Sequence, residues 1–398
     1  MSASLERLAD LAVGFAANVQ PGQLLGITAD VGQEDVVRAV AASAYRRGAH
    51  FVDVRYFDPL VKRARIEFAP GPTLDYVPPW YGERVLAIGR ARGANVALVG
   101  TTTPGALDGL DPSRAARDQL PFVKETLAVI EGREVNWTVV PSPTASWAKL
   151  VYPDLDEESA LERMWLEIGH ACRLDEVDPI AAWGERVGQL AQVAERLTEL
   201  RLDQVCFEGP GTDLTVGLLE SSSWQTAATE TVEGIPHLAN LPTEEVFATP
   251  DPERTEGRVR STRPLVLFDG TVIRGLEVRF EGGRAVAIDA DEGAKLLRGR
   301  VALDEGASKL GEVALVDRES RIGQLGTVFY ETLLDENAVS HVALGHGDEA
   351  SVAEQDRSRV NRSATHLDFM IGGDDVAVTG FTRGGGEVPL LRGGTWQL

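Results

Sequence analysis

The chain has 398 residues, 61 of them acidic against 39 basic, for a formal net charge of −22. That length exceeds one ordinary hydrophobic core and predicts two domains. A surface this acidic repels nucleic acid and anionic lipid, so neither is an expected partner.

The first half alternates strands and helices. Residues 1–22 place Leu5, Leu8, Leu11, Ala12, Phe15 and Val19 at helical spacing, broken by acids and Arg7. The pattern predicts an amphipathic first helix, since a signal peptide needs an unbroken apolar stretch. Gln23–Thr28 reads as a strand after the Pro21-Gly22 turn. Glu34–Arg47 reads as a helix with Val36, Val37, Val40, Ala41 and Ala44 on one face, and Phe51–Tyr56 as the next strand. This is a βαβ unit. Glu83–Arg92 reads as a helix, Asn95–Gly100 as a strand, Pro112–Glu131 as a helix and Asn136–Val140 as a strand. Glu157–Cys172 and Ile180–Leu200 read as helices. The fold class expected is α/β: an N-terminal open, mostly parallel sheet with helices over residues 1–200, then a mixed α+β domain over residues 201–398.

The second half changes texture. Leu276, Val278 and Phe280 alternate, Gly282-Gly283 turns the chain, and Val286 and Ile288 alternate back, which is a hairpin. Val313–Val316, His341–Leu344, Met370–Ile371 and Val376–Val378 read as short strands. Leu325–Glu336 reads as a helix with Leu325, Val328, Phe329 and Leu333 on its apolar face. Residues 349–362 are polar and aperiodic and read as a surface loop. No run of about 18 apolar residues predicts a membrane span. Two cysteines, Cys172 and Cys206, supply neither a disulfide framework nor a thiolate metal site, and fit a cytoplasmic protein.

Several common site motifs are missing: the H-E-x-x-H zinc helix, the phosphate loop and the G-x-S-x-G elbow. Gly209-Pro-Gly211 reads as a tight turn. The positive signal is a set of polar residues against apolar runs. His366 and Asp368 are two apart, which on a strand puts both on one face, with Leu367 turned to a core. His341 opens the run Val-Ala-Leu. Glu312 stands between Gly311 and Val313–Val316, where burying a carboxylate needs a cation or hydrogen bonds. Glu245 lies in a loop bounded by Pro and Thr. Taken singly, each has an ordinary explanation. Taken together, two imidazoles and three carboxylates are the mixture that holds a pair of divalent ions.

The segments Asn240-Leu-Pro-Thr-Glu-Glu-Val-Phe247, Lys309-Leu-Gly-Glu-Val-Ala-Leu315, Phe329–Ala338, Ser340-His-Val-Ala-Leu-Gly345 and His366–Gly372 resemble the M29 metallopeptidases, the aminopeptidase T group, in order and rough spacing. The N-terminal half resembles them only in its α/β character. The resemblance implies a two-metal aminopeptidase acting on short peptides, with two divalent ions (Zn, Co, Mn or Mg) on Glu245, Glu312, His341, His366 and Asp368. It implies Glu312 as the bridge, Glu244 as the alternative first ligand, and a homodimer. One departure stands out: the family has a tyrosine seven residues after its first histidine, and this chain has Asp348 there. Asp348 is the candidate catalytic residue in its place. Two other readings compete with the peptidase: an M29-like protein with altered or lost activity, and an iron-dependent ring-cleaving dioxygenase on the same scaffold, using two histidines and one carboxylate.

Overall fold

The computed structural model describes residues 2–118, 120–121, 123–267 and 271–398, without the side chains of Ser2 and Pro112. By its contacts the chain forms two compact units, Met1–Glu185 with Ala227–Thr243, and Arg186–Thr226 with Glu244–Leu398.

The first unit is built on a parallel sheet of β1 (Leu24–Asp30), β2 (Phe51–Phe57), β3 (Ala94–Val99) and β4 (Asn136–Pro141), in the order β2-β1-β3-β4. Around it run α1 (Ser2–Leu11), α2 (Glu34–Arg46), α3 (Pro59–Phe68) and α4 (Pro79–Arg90), then α5 (Lys124–Glu131), α6 (Ala145–Val151) and α7 (Glu157–Ala171). In α2, Val36, Val37, Val40 and Ala44 turn inward as their spacing predicts, and Glu34, Asp35 and Arg46 sit at the ends that suit the helix dipole. The sequence reading omits α3. Its signal is Asp58-Pro59: the Asp58 carboxylate accepts from the Leu60 N–H at 2.8 Å, and Pro59 takes the first helical position. The helix expected over 112–131 is instead a turn at Pro112–Ala115 and the separate α5. Pro121 has no N–H to give a helix, and the buried Asp118 captures the Leu120 N–H at 3.1 Å. Residues 119 and 122 of that span lie outside the described residues.

In the second unit, α8 (Pro179–Glu199), which belongs to it from Arg186 on, leads to an antiparallel sheet of eight strands. These are β5 (Leu202–Gly209), β6 (Thr212–Leu218), β8 (Pro250–Arg260), β9 (Glu277–Glu281), β10 (Arg284–Asp289), β14 (Ala377–Thr382), β15 (Glu387–Arg392) and β16 (Thr395–Trp396), in the order β10-β9-β8-β6-β5-β14-β15-β16. A second antiparallel sheet joins β7 (Glu245–Ala248), β11 (Leu310–Val316), β12 (His341–Gly345) and β13 (His366–Met370), in the order β13-β12-β11-β7. One apolar core serves both: Phe207, Val216, Val259 and Val278 from the large sheet meet Val246, Val313, Leu315, Val342, Leu344, Leu367 and Phe369 from the small one. Among the described residues no helix is long and apolar enough to cross a membrane.

Three expectations for this unit change. After α9 (Ala294–Val301), the helix over 325–336 is replaced by two short ones, α10 (Arg321–Leu325) and α11 (Thr332–Glu336). Gly326 (φ 69°) ends the first in a left-handed residue, and the Asp335 carboxylate takes the N–H groups of Phe329 (2.9 Å) and Glu331 (3.2 Å), holding the chain in a turn. Glu245 opens a strand and is not in a loop. The stretch 349–362 contains the 3₁₀ turns Glu349–Ser351 and Glu354–Arg359 and buries Ser351, Val352, Asp356 and Val360.

Gly345, at the end of β12, has φ 107°, and a Cβ there would collide with the carbonyl oxygen of Thr365. Gly345→Ala is expected to lower unfolding stability by about 2 kcal/mol or more. A urea midpoint equal to that of the wild type would contradict this account of the strand end.

Candidate metal centre

The register of the small sheet puts all five predicted residues on one face. Val316 pairs with Glu245, Ala314 with His341, Ala343 with both Glu312 and Asp368, and Gly345 with His366. Residues directly opposite in an antiparallel sheet share a face, as do residues two apart. Glu245, Glu312, His341, His366 and Asp368 therefore project together, with the small residues Ala314, Ala343 and Gly345 leaving space between them. The other face carries Val246, Ala248, Val313, Leu315, Val342, Leu344, Leu367 and Phe369, all in the core. A one-residue slip would exchange the two faces, so the apolar face fixes the position of the polar one.

The side chains meet in two groups that share Glu312. The first is Glu245, Glu312 and His341. Nε2 of His341 lies 3.1 Å from Oε2 of Glu245 and 3.4 Å from Oε1 of Glu312. The second is Glu312, His366 and Asp368. Nε2 of His366 lies 3.2 Å from Oδ1 of Asp368 and 3.9 Å from Oε2 of Glu312. Glu312 thus turns one carboxylate oxygen to each histidine.

Each imidazole is aimed by its other nitrogen. Nδ1 of His341 is 3.3 Å from the Val339 carbonyl, and Nδ1 of His366 is 2.8 Å from the His346 carbonyl. An N–H at Nδ1 donates to the carbonyl and leaves the Nε2 lone pair facing the carboxylates, the tautomer a metal ligand needs. The His341 end is dry: His341 is 1% exposed, while the His366 side chain is 39% exposed.

Burial opposes charge on His341, but the carboxylates of Glu245 and Glu312 outweigh it and raise its pKa well above the ordinary value. Burial acts likewise on His366, where Asp368 and Glu312 prevail and push it up to about 10. Burial raises the Glu312 carboxyl despite the two histidines. Asp368 is also desolvated, yet the adjacent imidazoles draw it below its ordinary value. Oε2 of Glu245 and Oδ1 of Asp368 are buried and accept no well-aligned hydrogen bond among the described residues. Buried carboxylate oxygens in that condition, beside two imidazoles whose Nδ1 atoms already face backbone carbonyls, fit divalent cations that displace the Nε2 protons.

The sequence reading missed Glu336. It ends α11, is 9% exposed, and accepts from Nδ2 of Asn337 at 3.3 Å. Burial first, then the charges of Asp368, Glu245 and Glu312, raise its carboxyl well above the carboxylate range, so it belongs to the same electrostatic cluster. The available signal was its spacing: Glu336 falls three residues after Leu333 and seven after Phe329, on the apolar face of the expected helix. Glu244, the alternative first ligand, is fully buried and bonded to Arg186, so it points away from this role. Asp348 stands outside both groups of three. Its Oδ1 accepts from the Ala350 N–H at 2.8 Å, and its backbone bonds twice to Thr249 Oγ1.

Comparison with known proteins shows the family. Residues 1–396 match the family described as thermophilic metalloprotease (M29). The chain is 42% identical to aminopeptidase T of Thermus aquaticus, over 99% of this chain and 98% of the relative. It is 36% identical to aminopeptidase AmpS of Bacillus subtilis, over 100% and 99%. The solved structure of wild-type AmpT from Thermus thermophilus superposes with a TM-score of 0.90 at 41% identity, covering 99% of each chain. A match over nearly the whole length, with the two-histidine, multi-carboxylate face in place, makes this chain a member of the M29 thermophilic metalloprotease family.

Proposed function

We propose that this protein removes N-terminal residues from short peptides with two divalent ions held on the face of its small sheet. That it is a metal-dependent aminopeptidase follows from the family and its curated relatives. The proposal adds the ion number and the residues: Glu245, Glu312 and His341 for one ion, Glu312, His366 and Asp368 for the other, with Glu336 as a further carboxylate. The observation that carries it is the placement of Glu312, one oxygen toward each histidine. Zinc, cobalt and manganese suit a set of imidazoles and carboxylates. When bound, such ions lower the pKa of water and polarise the scissile carbonyl.

The protein's own groups supply the rest. Buried carboxylates make the site negative and draw the free α-ammonium of a peptide toward it. Burial and the neighbouring carboxylates favour the protonated form of Glu336, and this supports a part for it in proton exchange. Asp348 enters the proposal as a catalytic carboxylate at the family's tyrosine position. Its support is the anchoring of its backbone to Thr249, the residue after β7. The second unit, which carries the whole set, serves as the catalytic domain. A homodimer, implied by the family resemblance, and a cytoplasmic location, in keeping with two free cysteines, complete the reading.

Two outcomes follow. In the metal-free protein His341 and His366 hold protons at pH 7, because their pKa values are raised. Ions take the neutral imidazole, so uptake expels protons, and affinity rises with pH and falls on acidification. Zinc calorimetry in buffers of different ionisation enthalpy is expected to show about two protons released per chain at pH 7; no release would contradict the ligand set. Kinetics on leucyl-p-nitroanilide test the roles. Glu312→Gln is expected to lose bound metal and at least about a hundredfold in kcat/KM. Asp348→Asn keeps the Ala350 acceptor and is expected to keep its metal while losing about a hundredfold in kcat. A fully active Glu312→Gln enzyme would refute the bridge, and a kcat within about twofold for Asp348→Asn would leave that residue as a turn cap only.

A further inference from the structure

The pair Val316–Glu245 is the last in the β7–β11 ladder. Glu245, a proposed ligand, is therefore a terminal strand residue with no earlier ladder pair to hold it. Just past this end the two strands place Glu244 and Asp317, which are 0% and 7% exposed. Two carboxylates buried together, beside a face that already holds three more, repel one another.

Arg186 of α8 lies between them. Its Nε donates to Oε2 of Glu244 at 2.7 Å, Nη2 to Oδ1 of Asp317 at 2.9 Å, and Nη1 to Oδ2 of Asp317 at 3.4 Å. Trp396 of β16 donates its indole N–H to Oδ2 of Asp317 at 2.8 Å. The Glu244 N–H donates to Oδ1 of Asn337 at 2.6 Å, and Nδ2 of the same Asn337 reaches Oε1 of Glu336. Arg186 itself is 6% exposed. The guanidinium fork thus ties the residue before Glu245 to the residue after Val316 and closes the ladder end with side chains. A lysine could supply the charge but not two directed arms.

We propose that Arg186 is a positioning residue for the reaction: by clamping Glu244 and Asp317 it fixes Glu245, and so sets the affinity of the ion site formed by Glu245, Glu312 and His341. This rests on the two-ion reading above. The effect is local. His366 and Asp368 stand on β13, held by their ladder with β12 and by the His346 carbonyl, so the second ion site does not depend on the clamp.

Zinc competition against a chromophoric chelator, with the full-length protein, tests this. The wild type is expected to show two binding constants. Arg186→Lys is expected to weaken one by about tenfold or more, the usual effect of losing a partner that orients a ligand, while the other stays within about twofold. Two unchanged constants, or two that fall by the same factor, would overturn the clamp. If Arg186→Lys does not fold, Glu244→Gln, which keeps the acceptor and removes the charge, is expected to weaken the same single constant, and an unchanged pair would overturn the clamp equally. A wild type that takes one ion refutes the two-ion reading instead; the clamp then stands if Arg186→Lys lowers that one constant about tenfold and falls if it does not.

Discussion

Glu245, Glu312, Asp368 and Glu336 are four carboxylates held against two imidazoles in a largely dry place. Left alone, such a group repels itself, and burial together with that repulsion raises the Glu312 and Glu336 carboxyls above their ordinary values. The second unit is arranged to hold this unfavourable set in position. Divalent cations relieve the repulsion directly, which is why the cluster makes chemical sense as a metal centre and little sense as a structural core.

The holding is done by layers. The apolar side of the small sheet locks the register, because a slip would bury the acids in the core and expose Val313, Leu315, Val342 and Leu344. Ala314, Ala343 and Gly345 keep the polar side open where the long side chains converge. Backbone carbonyls at Val339 and His346 orient the imidazoles. Asn337 joins the strand entry at Glu244 to the helix end at Glu336. Arg186 and Trp396 draw on α8 and the C-terminal strand to secure the end of the ladder.

Much of this was legible in the chain. The period-two reading of His366-x-Asp368 correctly placed both on one face with Leu367 in the core, and the βαβ rhythm of residues 23–56 gave the parallel sheet. Most of what escaped depends on partners far apart in sequence. Glu244 and Glu245 are adjacent acids with the same local character, and Arg186, the partner that occupies Glu244, lies 58 residues earlier. Glu336 looked like the end of a helix because nothing local shows that carboxylates of three strands raise its pKa. The helix over 325–336 had good apolar spacing but lost to Gly326 and to Asp335 capturing its own upstream N–H groups. The return of residues 227–243 to the first unit, through the contact of Asn240 with Val139, has no local signal at all.

In the proposed site Glu312 lies between two ions. Anomalous diffraction at the zinc edge, from crystals soaked in zinc, tests it most directly. The account predicts two peaks per chain about 3.5–4 Å apart, one beside Glu245 and His341, the other beside His366 and Asp368, with the Glu312 carboxylate touching both. A single peak, or two peaks of which neither or only one touches Glu312, would contradict it.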